Sequence, residues 1–214
     1  MFGSIPTRSV IPALILAGTM SHAGGWAVIT VDNLPDYAVA GKPLEFSYVV
    51  RQHGHSPLDM LEGSVEARSN GQATVTVPAH AVAKPGGYGA KLVLPKPGEW
   101  TITIKSGFGK SDAQLLPLTV VAEGASLTRT ISDTERGERL FSSKGCITCH
   151  VQIQVGPKLD GKRFDPTYIA RFLADPSIAP PKPNGAKMPK LGLQPKEIAS
   201  LVTYLNSDRQ VSAR

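Results

Sequence analysis

The sequence predicts two domains, an all-β sandwich over residues 24–121 and a small all-α domain over residues 132–207, joined by a linker over residues 122–131. In the first half, β-rich runs separated by turn residues recur about every ten residues, as they do in sandwiches. After Val121 the apolar residues recur at helical spacing instead. The chain has 214 residues, 41% of them apolar, which is enough for two soluble domains.

Alternating apolar residues mark the strands of the first domain. In the run over residues 44–50, the alternation places Phe46, Tyr48 and Val50 on one face of a strand. No helix of useful length is predicted before residue 122. The other predicted strands cover residues 26–31, 73–77, 88–94, 100–104 and 115–121.

Three helices are predicted in the second domain. The first begins at Ser132, which is expected to form a capping box with Glu135. The second covers residues 166–174, and the third begins with Pro195 in its first turn. Residues 176–189 contain five prolines and are predicted to have no regular structure.

The first 23 residues have the layout of a secretory signal peptide. Arg8 precedes an apolar stretch over residues 10–17, and Ser21-His22-Ala23 supplies a small-x-small cleavage signal. An uncleaved N-terminal anchor is the alternative. No later apolar run is long enough to span a membrane. The mature chain is therefore expected to be periplasmic and without a membrane span, with residues 208–214 as a tail.

Nearly all of the formal net charge of +6 belongs to residues 123–214. These basic residues are not interleaved with aromatic side chains, and an exported protein rarely meets nucleic acid, so a nucleic-acid partner is excluded. A docking face for an acidic protein partner is the preferred interpretation. A generally solvated basic surface is the alternative.

Cys146-Ile147-Thr148-Cys149-His150 is the motif of covalent c-type haem attachment. Its two cysteines, the only ones in the chain, lie on one side of a helical turn, where each thiol can form a thioether with a haem vinyl group. His150 then projects toward the iron as an axial ligand. A redox dithiol is the competing interpretation, but it would favour a βαβ context and leave His150 unexplained. One covalent haem c is therefore predicted.

Met188 is the expected second axial ligand. Residues 123–214 contain one histidine, His150, and one methionine, Met188. The following Pro189 disfavours helical geometry at Met188, so that the thioether can face the iron; ordinary core packing is the alternative. Two filled axial positions favour outer-sphere electron transfer over catalysis at iron, and thus a carrier rather than a peroxidase-like enzyme.

Residues 131–206 resemble a class I (monohaem) cytochrome c along their whole length. The matching segments are residues 137–141 (GERLF), 144–150 (KGCITCH), 155–161 (VGPKLDG), 187–189 (KMP) and 201–205 (LVTYL). The resemblance implies the cytochrome c fold, in which the first and last helices cross. The residues implied to meet at this crossing are Gly137, Phe141, Leu201 and Tyr204.

The same resemblance implies which residues surround the haem. The carbonyl of Pro157 should accept a hydrogen bond from Nδ1–H of His150, which fixes the ring and strengthens the ligand. Arg163 and Tyr168 are implied as neighbours of the haem propionates, with packing or surface roles as the alternative. Four lysines are candidates for a basic rim around the haem edge, where an acidic redox partner would dock: Lys144, Lys158, Lys187 and Lys190.

Residues 41–54 and 87–104 give the first domain a resemblance to the immunoglobulin-like domains called YtkA-like or FixH-like. The resemblance implies an association with exported redox and copper-related systems, including haem–copper oxidase maturation. His53, His55 and Met60 offer donors suited to copper, and His80 could join them; an ordinary exposed loop is the alternative.

Two functions follow from the sequence. The preferred one is a periplasmic c-type cytochrome that transfers single electrons and uses the sandwich as a docking or subunit module. The alternative is a copper-handling or haem–copper oxidase assembly factor with a haem redox domain.

Overall fold

The computed structural model describes residues 25–126, 128–180 and 187–208. The predicted signal peptide and nearly all of the predicted tail lie outside these residues. Both predicted folds are present: residues 27–121 form β-sheets, and residues 133–205 are helical. None of the helices in the described residues is long and apolar enough to cross a membrane.

The first domain is built entirely from strands and turns, as predicted. Its strands are β1 (Ala27–Asp32), β2 (Tyr37–Val39), β3 (Pro43–Gln52), β4 (Ser56–Pro57), β5 (Ser64–Arg68), β6 (Val75–Pro78), β7 (His80–Ala81), β8 (Gly87–Val93), β9 (Gly98–Lys105), β10 (Asp112–Gln114) and β11 (Leu118–Val121). One sheet has the order β1-β3-β8-β7, with β4 paired to β3. The other has the order β2-β11-β9-β5-β6, with β10 paired to β9. All pairs are antiparallel except β11 with β2.

The core of the sandwich lies between the two sheets. Phe46, Tyr48 and Val50 of β3 are buried there, which confirms the face predicted from their alternation. They meet Trp100 and other apolar residues of β9 on the facing sheet. The period-2 pattern therefore predicted correctly which side of each of these strands is inside.

One central strand was missed, and another begins later than predicted. β5 pairs with both β6 and β9, and its Val65 and Ala67 are fully buried. Two small apolar residues between charged ones gave too weak a signal for a strand. Of the predicted run over residues 115–121, only Leu118–Val121 form a strand, β11. The strand begins after Pro117, which has no N–H to donate to a neighbouring strand.

The second domain contains the three predicted helices: α1 (Asp133–Ser143), α2 (Pro166–Ala174) and α3 (Pro195–Leu205). Ser132 caps α1, because its Oγ accepts a hydrogen bond from the Glu135 N–H at 3.2 Å. The Glu135 carboxylate is engaged by Arg129 of the linker and by Arg139, and these contacts lower its pKa to about 2. The linker is thereby attached to α1.

The prediction that residues 176–189 have no regular structure was wrong at their start. Pro176–Ile178 form a short 3-10 helix. The Asp175 carboxylate accepts a hydrogen bond from Ser177 N–H at 3.2 Å, and proline suits a first helical turn. Residues 181–186 of this segment lie outside the described residues.

α1 and α3 cross at Gly137, as the resemblance implied. A Cβ at this position would overlap the Ser200 carbonyl oxygen and lie 2.5 Å from Tyr204 Cβ, so only glycine permits this approach. One turn further along α1, the ring of Phe141 packs against that of Tyr204 at 5.6 Å between centroids. Leu201 is buried in the same apolar cluster.

We expect Gly137→Ala to destabilise the helical domain by about 1–3 kcal/mol, because the new Cβ would force the two helices apart. Helix propensity alone would change stability in the opposite direction, by about 1 kcal/mol. Urea unfolding followed by helical circular dichroism measures the difference. The control is Ala199→Gly on the exposed side of α3, which should lose stability through propensity alone. A gain of stability in Gly137→Ala would contradict the close approach.

Candidate haem site

The CxxCH motif lies in a distorted helical segment directly after α1. Lys144 and Gly145 form a turn, with Gly145 at a φ of +77°. The chain becomes helical again at Cys146, and residues Thr148–Gln152 form a π-helix that includes Cys149 and His150. π-helical turns are rare and frequently occur at functional sites.

Both thiols of the motif are free of disulfide bonds. Burial raises the pKa of Cys146 to about 12, and it also raises the pKa of the half-buried Cys149. A redox dithiol requires the opposite shift, since the thiolate is its reactive form. The environment of the two cysteines therefore disfavours the redox-dithiol interpretation and is compatible with thioether formation.

His150 is held in one orientation by its backbone neighbours. Its Nδ1–H donates a hydrogen bond to the Pro157 carbonyl oxygen at 2.8 Å, the contact expected from the resemblance. A Cβ at Gly156 would lie 2.7 Å from Nδ1, so this glycine provides the space for the ring. With the proton of a neutral imidazole on Nδ1, Nε2 carries the lone pair that can bind a metal.

Met188 borders the same apolar cluster as the CxxCH motif. The cluster is formed by the three helices and the segments between them, and Met188 packs against it while half-buried. Ile147 and Val151, on either side of Cys149 and His150, pack against the same cluster. The two segments predicted to carry the iron ligands thus meet at one apolar surface.

The apolar cluster of the helical domain fits a large apolar cofactor. Among the described residues, it contains eight buried members and ten that are only partly buried. In the sandwich the corresponding numbers are twenty-two and seven. A protein core normally excludes water from most of its apolar residues. Two free thiols, an oriented imidazole and an incompletely covered apolar cluster are therefore a donor set and a surface that suit haem.

Arg163 and Tyr168 have protein partners in the structure. Arg163 donates a hydrogen bond to the Ser207 carbonyl oxygen at 2.9 Å and forms an ion pair with Asp208. Tyr168 is half exposed at the start of α2, where its ring stacks on Phe172 at 6.3 Å. Their predicted proximity to haem propionates stays a prediction.

Lys144 is not part of an exposed basic rim, which corrects that expectation. The residue is buried, and its Nζ lies 2.9 Å from Glu197 Oε1 and 3.7 Å from Asp32 Oδ1. Because Asp32 belongs to the sandwich and Glu197 to α3, the ammonium joins both domains directly before the CxxCH motif. The other three lysines of the predicted rim are exposed: Lys158, Lys187 and Lys190.

The outer face of β1 packs against the turn that leads into the motif. Val28 and Thr30 point away from the sandwich core, yet they are only 3% and 2% exposed. A Cβ at Gly145 would overlap Val28 Cγ1 and lie 2.7 Å from the Ile29 carbonyl oxygen. Thr30 Oγ1 donates a hydrogen bond to the Lys144 carbonyl oxygen at 3.5 Å. The contact leaves no space for a side chain at position 145.

Further contacts join α1 to the sandwich, among them a hydrogen bond from Arg139 to the Asp36 carbonyl oxygen at 3.4 Å. Arg136 forms an ion pair with Asp36 at 2.7 Å, and Ser142 Oγ donates a hydrogen bond to the Gln114 carbonyl oxygen at 3.3 Å. Together with Lys144, they attach one side of the helical domain to the sandwich.

The residues proposed for copper have different surroundings from one another. His53 packs its ring on Trp26 at 5.2 Å, and His55 Nε2–H donates a hydrogen bond to the Lys187 carbonyl oxygen at 3.1 Å. Met60 is 91% exposed, and His80 lies on β7. No group of three or more His, Cys, Asp or Glu within the described ranges could hold a metal ion. Copper binding at His53, His55 and Met60 stays a hypothesis.

Comparison with known families gives a match to the second domain. The sequence model of the family described as cytochrome c oxidase, cbb3-type, subunit III matches residues 132–205, about a third of the chain. This match supports a cytochrome c domain over these residues, and such domains are haem-binding electron-transfer modules. No curated protein sequence matches the chain.

Several solved structures resemble the chain weakly. The filamin domain of Lin-41 is 15% identical with a TM-score of 0.37, over 46% of this chain and 93% of that one. A Salmonella α2-macroglobulin mutant is 16% identical with a TM-score of 0.38, over 56% of this chain and 8% of that one. A superoxide reductase from Ignicoccus hospitalis is 15% identical with a TM-score of 0.30, over 44% and 79% of the two chains. The YtkA-like or FixH-like resemblance of the sandwich stays a prediction.

We expect Glu197→Gln to destabilise the protein by about 1–3 kcal/mol, because the buried Lys144 ammonium would keep only the more distant Asp32 as a counter-charge. The matched control is Asp133→Asn, another first-turn carboxylate whose ion pair with Arg136 is exposed. It should change stability by less than about 0.5 kcal/mol. Equal losses in urea unfolding of the two variants would show that Lys144 does not depend on its charged partner.

Proposed function

We propose that the chain is a periplasmic c-type cytochrome that transfers single electrons through one covalently bound haem. The observation that carries this proposal is the His150–Pro157 hydrogen bond, which orients an imidazole directly beside two free thiols. The family match over residues 132–205 supports the same conclusion. The predicted signal peptide supports export to the compartment where bacterial c-type haem is attached.

Four residues would hold the haem. Cys146 and Cys149 would attach it through thioethers, and His150 and Met188 would bind the iron. When bound, the haem supplies a one-electron Fe(III)/Fe(II) couple. The chain's own residues orient the ligands: Pro157 fixes the imidazole, and the apolar cluster around Met188 limits the access of water. A thioether ligand favours Fe(II) and gives a higher reduction potential than a second histidine.

The exposed lysines Lys158, Lys187 and Lys190 support docking to an acidic redox partner. Like-signed charges on one domain attract an acidic protein and accelerate its encounter, and salt screens this effect. Ile153 and Val155 follow the CxxCH motif and expose about two-fifths of their surface, which offers a partner apolar contact area close to the motif in the sequence. The sandwich would serve as a docking or subunit module.

The test is to produce the chain with a c-type haem attachment system and examine three variants. The parent protein should carry one haem that survives denaturation, and Cys149→Ser should weaken or abolish this attachment. The oxidised parent should show the near-infrared Met-to-Fe(III) charge-transfer band. Met188→Leu should lose this band and lower the midpoint potential by on the order of 100 mV.

The control for Met188 is Met60→Leu, because Met60 is exposed on the sandwich. Its band and potential should match those of the parent. High-spin ferric iron in the parent protein would contradict the assignment of Met188. A parent chain that acquires no covalent haem would contradict the proposed function as a whole.

A further inference from the structure

The turn over residues 53–55 of the sandwich contacts the segment that carries Met188. On one side of Met188, the Lys187 carbonyl oxygen accepts the hydrogen bond from His55 Nε2–H at 3.1 Å. On the other side, Pro189 packs against Gly54, where an ideal Cβ would lie 3.6 Å from its Cγ. Both neighbours of the predicted ligand therefore lie on this turn of the other domain.

The turn is itself fixed to the sandwich. His53 N–H donates to the Trp26 carbonyl oxygen at 3.0 Å, and the His53 ring packs on the Trp26 ring. Gly54 N–H donates to the Arg51 carbonyl oxygen at 3.2 Å, and His55 N–H donates to the Gln52 carbonyl oxygen at 3.0 Å. His55 thus projects from a hydrogen-bonded turn at the end of β3.

Among the described residues, the Met188 segment is held to its own domain by side chains, through the packing of Met188 on the apolar cluster and an ion pair between Lys190 Nζ and Asp175 Oδ2 at 3.8 Å. Residues 187–194 belong to no helix or strand. Between the described residues, no backbone–backbone hydrogen bond involves residues 187–190. A segment without regular structure moves more easily than a helix or strand. The contact with the sandwich is therefore well placed to determine where Met188 lies.

We propose that His55 is a positioning residue, which holds the Lys187 carbonyl so that the Met188 thioether remains at the haem iron. This inference rests on the proposed function, in which Met188 is an axial ligand. The sandwich would then help to keep Met188 on the iron. Met188 can leave only if the segment that carries it moves away from the turn over residues 53–55, and that turn is fixed to the sandwich. His55→Ala removes the hydrogen bond and lowers the resistance to that displacement.

The experiment uses the full haem-loaded chain and measures how readily imidazole displaces Met188 from the ferric iron. Loss of one hydrogen bond should increase the apparent imidazole affinity of His55→Ala roughly two- to tenfold. The near-infrared band should weaken in the same variant, and its midpoint potential should fall. His55→Gln should restore parent behaviour, because the Gln side-chain amide can donate near the position of Nε2.

The matched control is His80→Ala, since His80 is an exposed histidine of the same sandwich whose ring lies against Gly89. It should leave the imidazole affinity, the band and the potential unchanged. Urea unfolding of all three variants tests whether the sandwich is intact. An equal change in His80→Ala and His55→Ala would show a general loosening of the sandwich and overturn the proposal.

The other possible results distinguish a failure of the Met188 assignment from a failure of the positioning role of His55. If the parent lacks the near-infrared band, or if Met188→Leu retains it, the ligand assignment in the proposed function fails. If the band depends on Met188 while His55→Ala and the parent bind imidazole equally, the assignment stands and the positioning role of His55 is overturned. Failure of His55→Gln to restore the parent affinity would also overturn it.

Discussion

The burial of β1 on both faces is the constraint on which the arrangement of the two domains depends. β1 is an edge strand of its sheet, and Ala27, Ile29 and Val31 close the sandwich core. Val28 and Thr30 on the opposite face are equally buried, beneath the turn that leads into the CxxCH motif. A one-residue slip would exchange the two faces. The register of one strand thus fixes the start of the haem motif relative to the sandwich.

Local sequence patterns correctly predicted those features that depend only on residues close together in the chain. The Ser132 cap, the Pro195 helix start and the spacing of the cysteine motif are examples, because each depends on neighbours in sequence. Lys144 was misjudged, since its counter-charges Glu197 and Asp32 lie far from it in the sequence and an isolated lysine is normally exposed. The burial of β1 on both faces could have been predicted from its sequence. Residues 27–31 do not alternate between apolar and polar side chains, which is typical of strands covered on both sides.

The two segments predicted to bind the iron differ in how they are supported. His150 lies in a helical turn and is oriented by its own loop through Pro157. Met188 lies in a segment without regular structure, whose neighbours contact the turn of the sandwich at His55. No pattern near Met188 could have predicted this support, because a hydrogen bond to a backbone carbonyl imposes no residue type on the acceptor. In the sequence, His53 and His55 look like a pair of metal ligands. In the folded chain, His55 instead donates a hydrogen bond to the Lys187 carbonyl oxygen.

Gly145 limits how far the two domains can be treated as interchangeable modules. Its positive φ favours glycine, and the contact with Val28 and Ile29 excludes a side chain for a second, independent reason. A foreign sandwich fused before residue 132 would have to present a strand that fits closely over Gly145, as Val28 and Ile29 do, together with a carboxylate in the position of Asp32. Recombination at the linker, although it looks simple in the sequence, would therefore yield a displaced haem motif unless both surfaces were exchanged together.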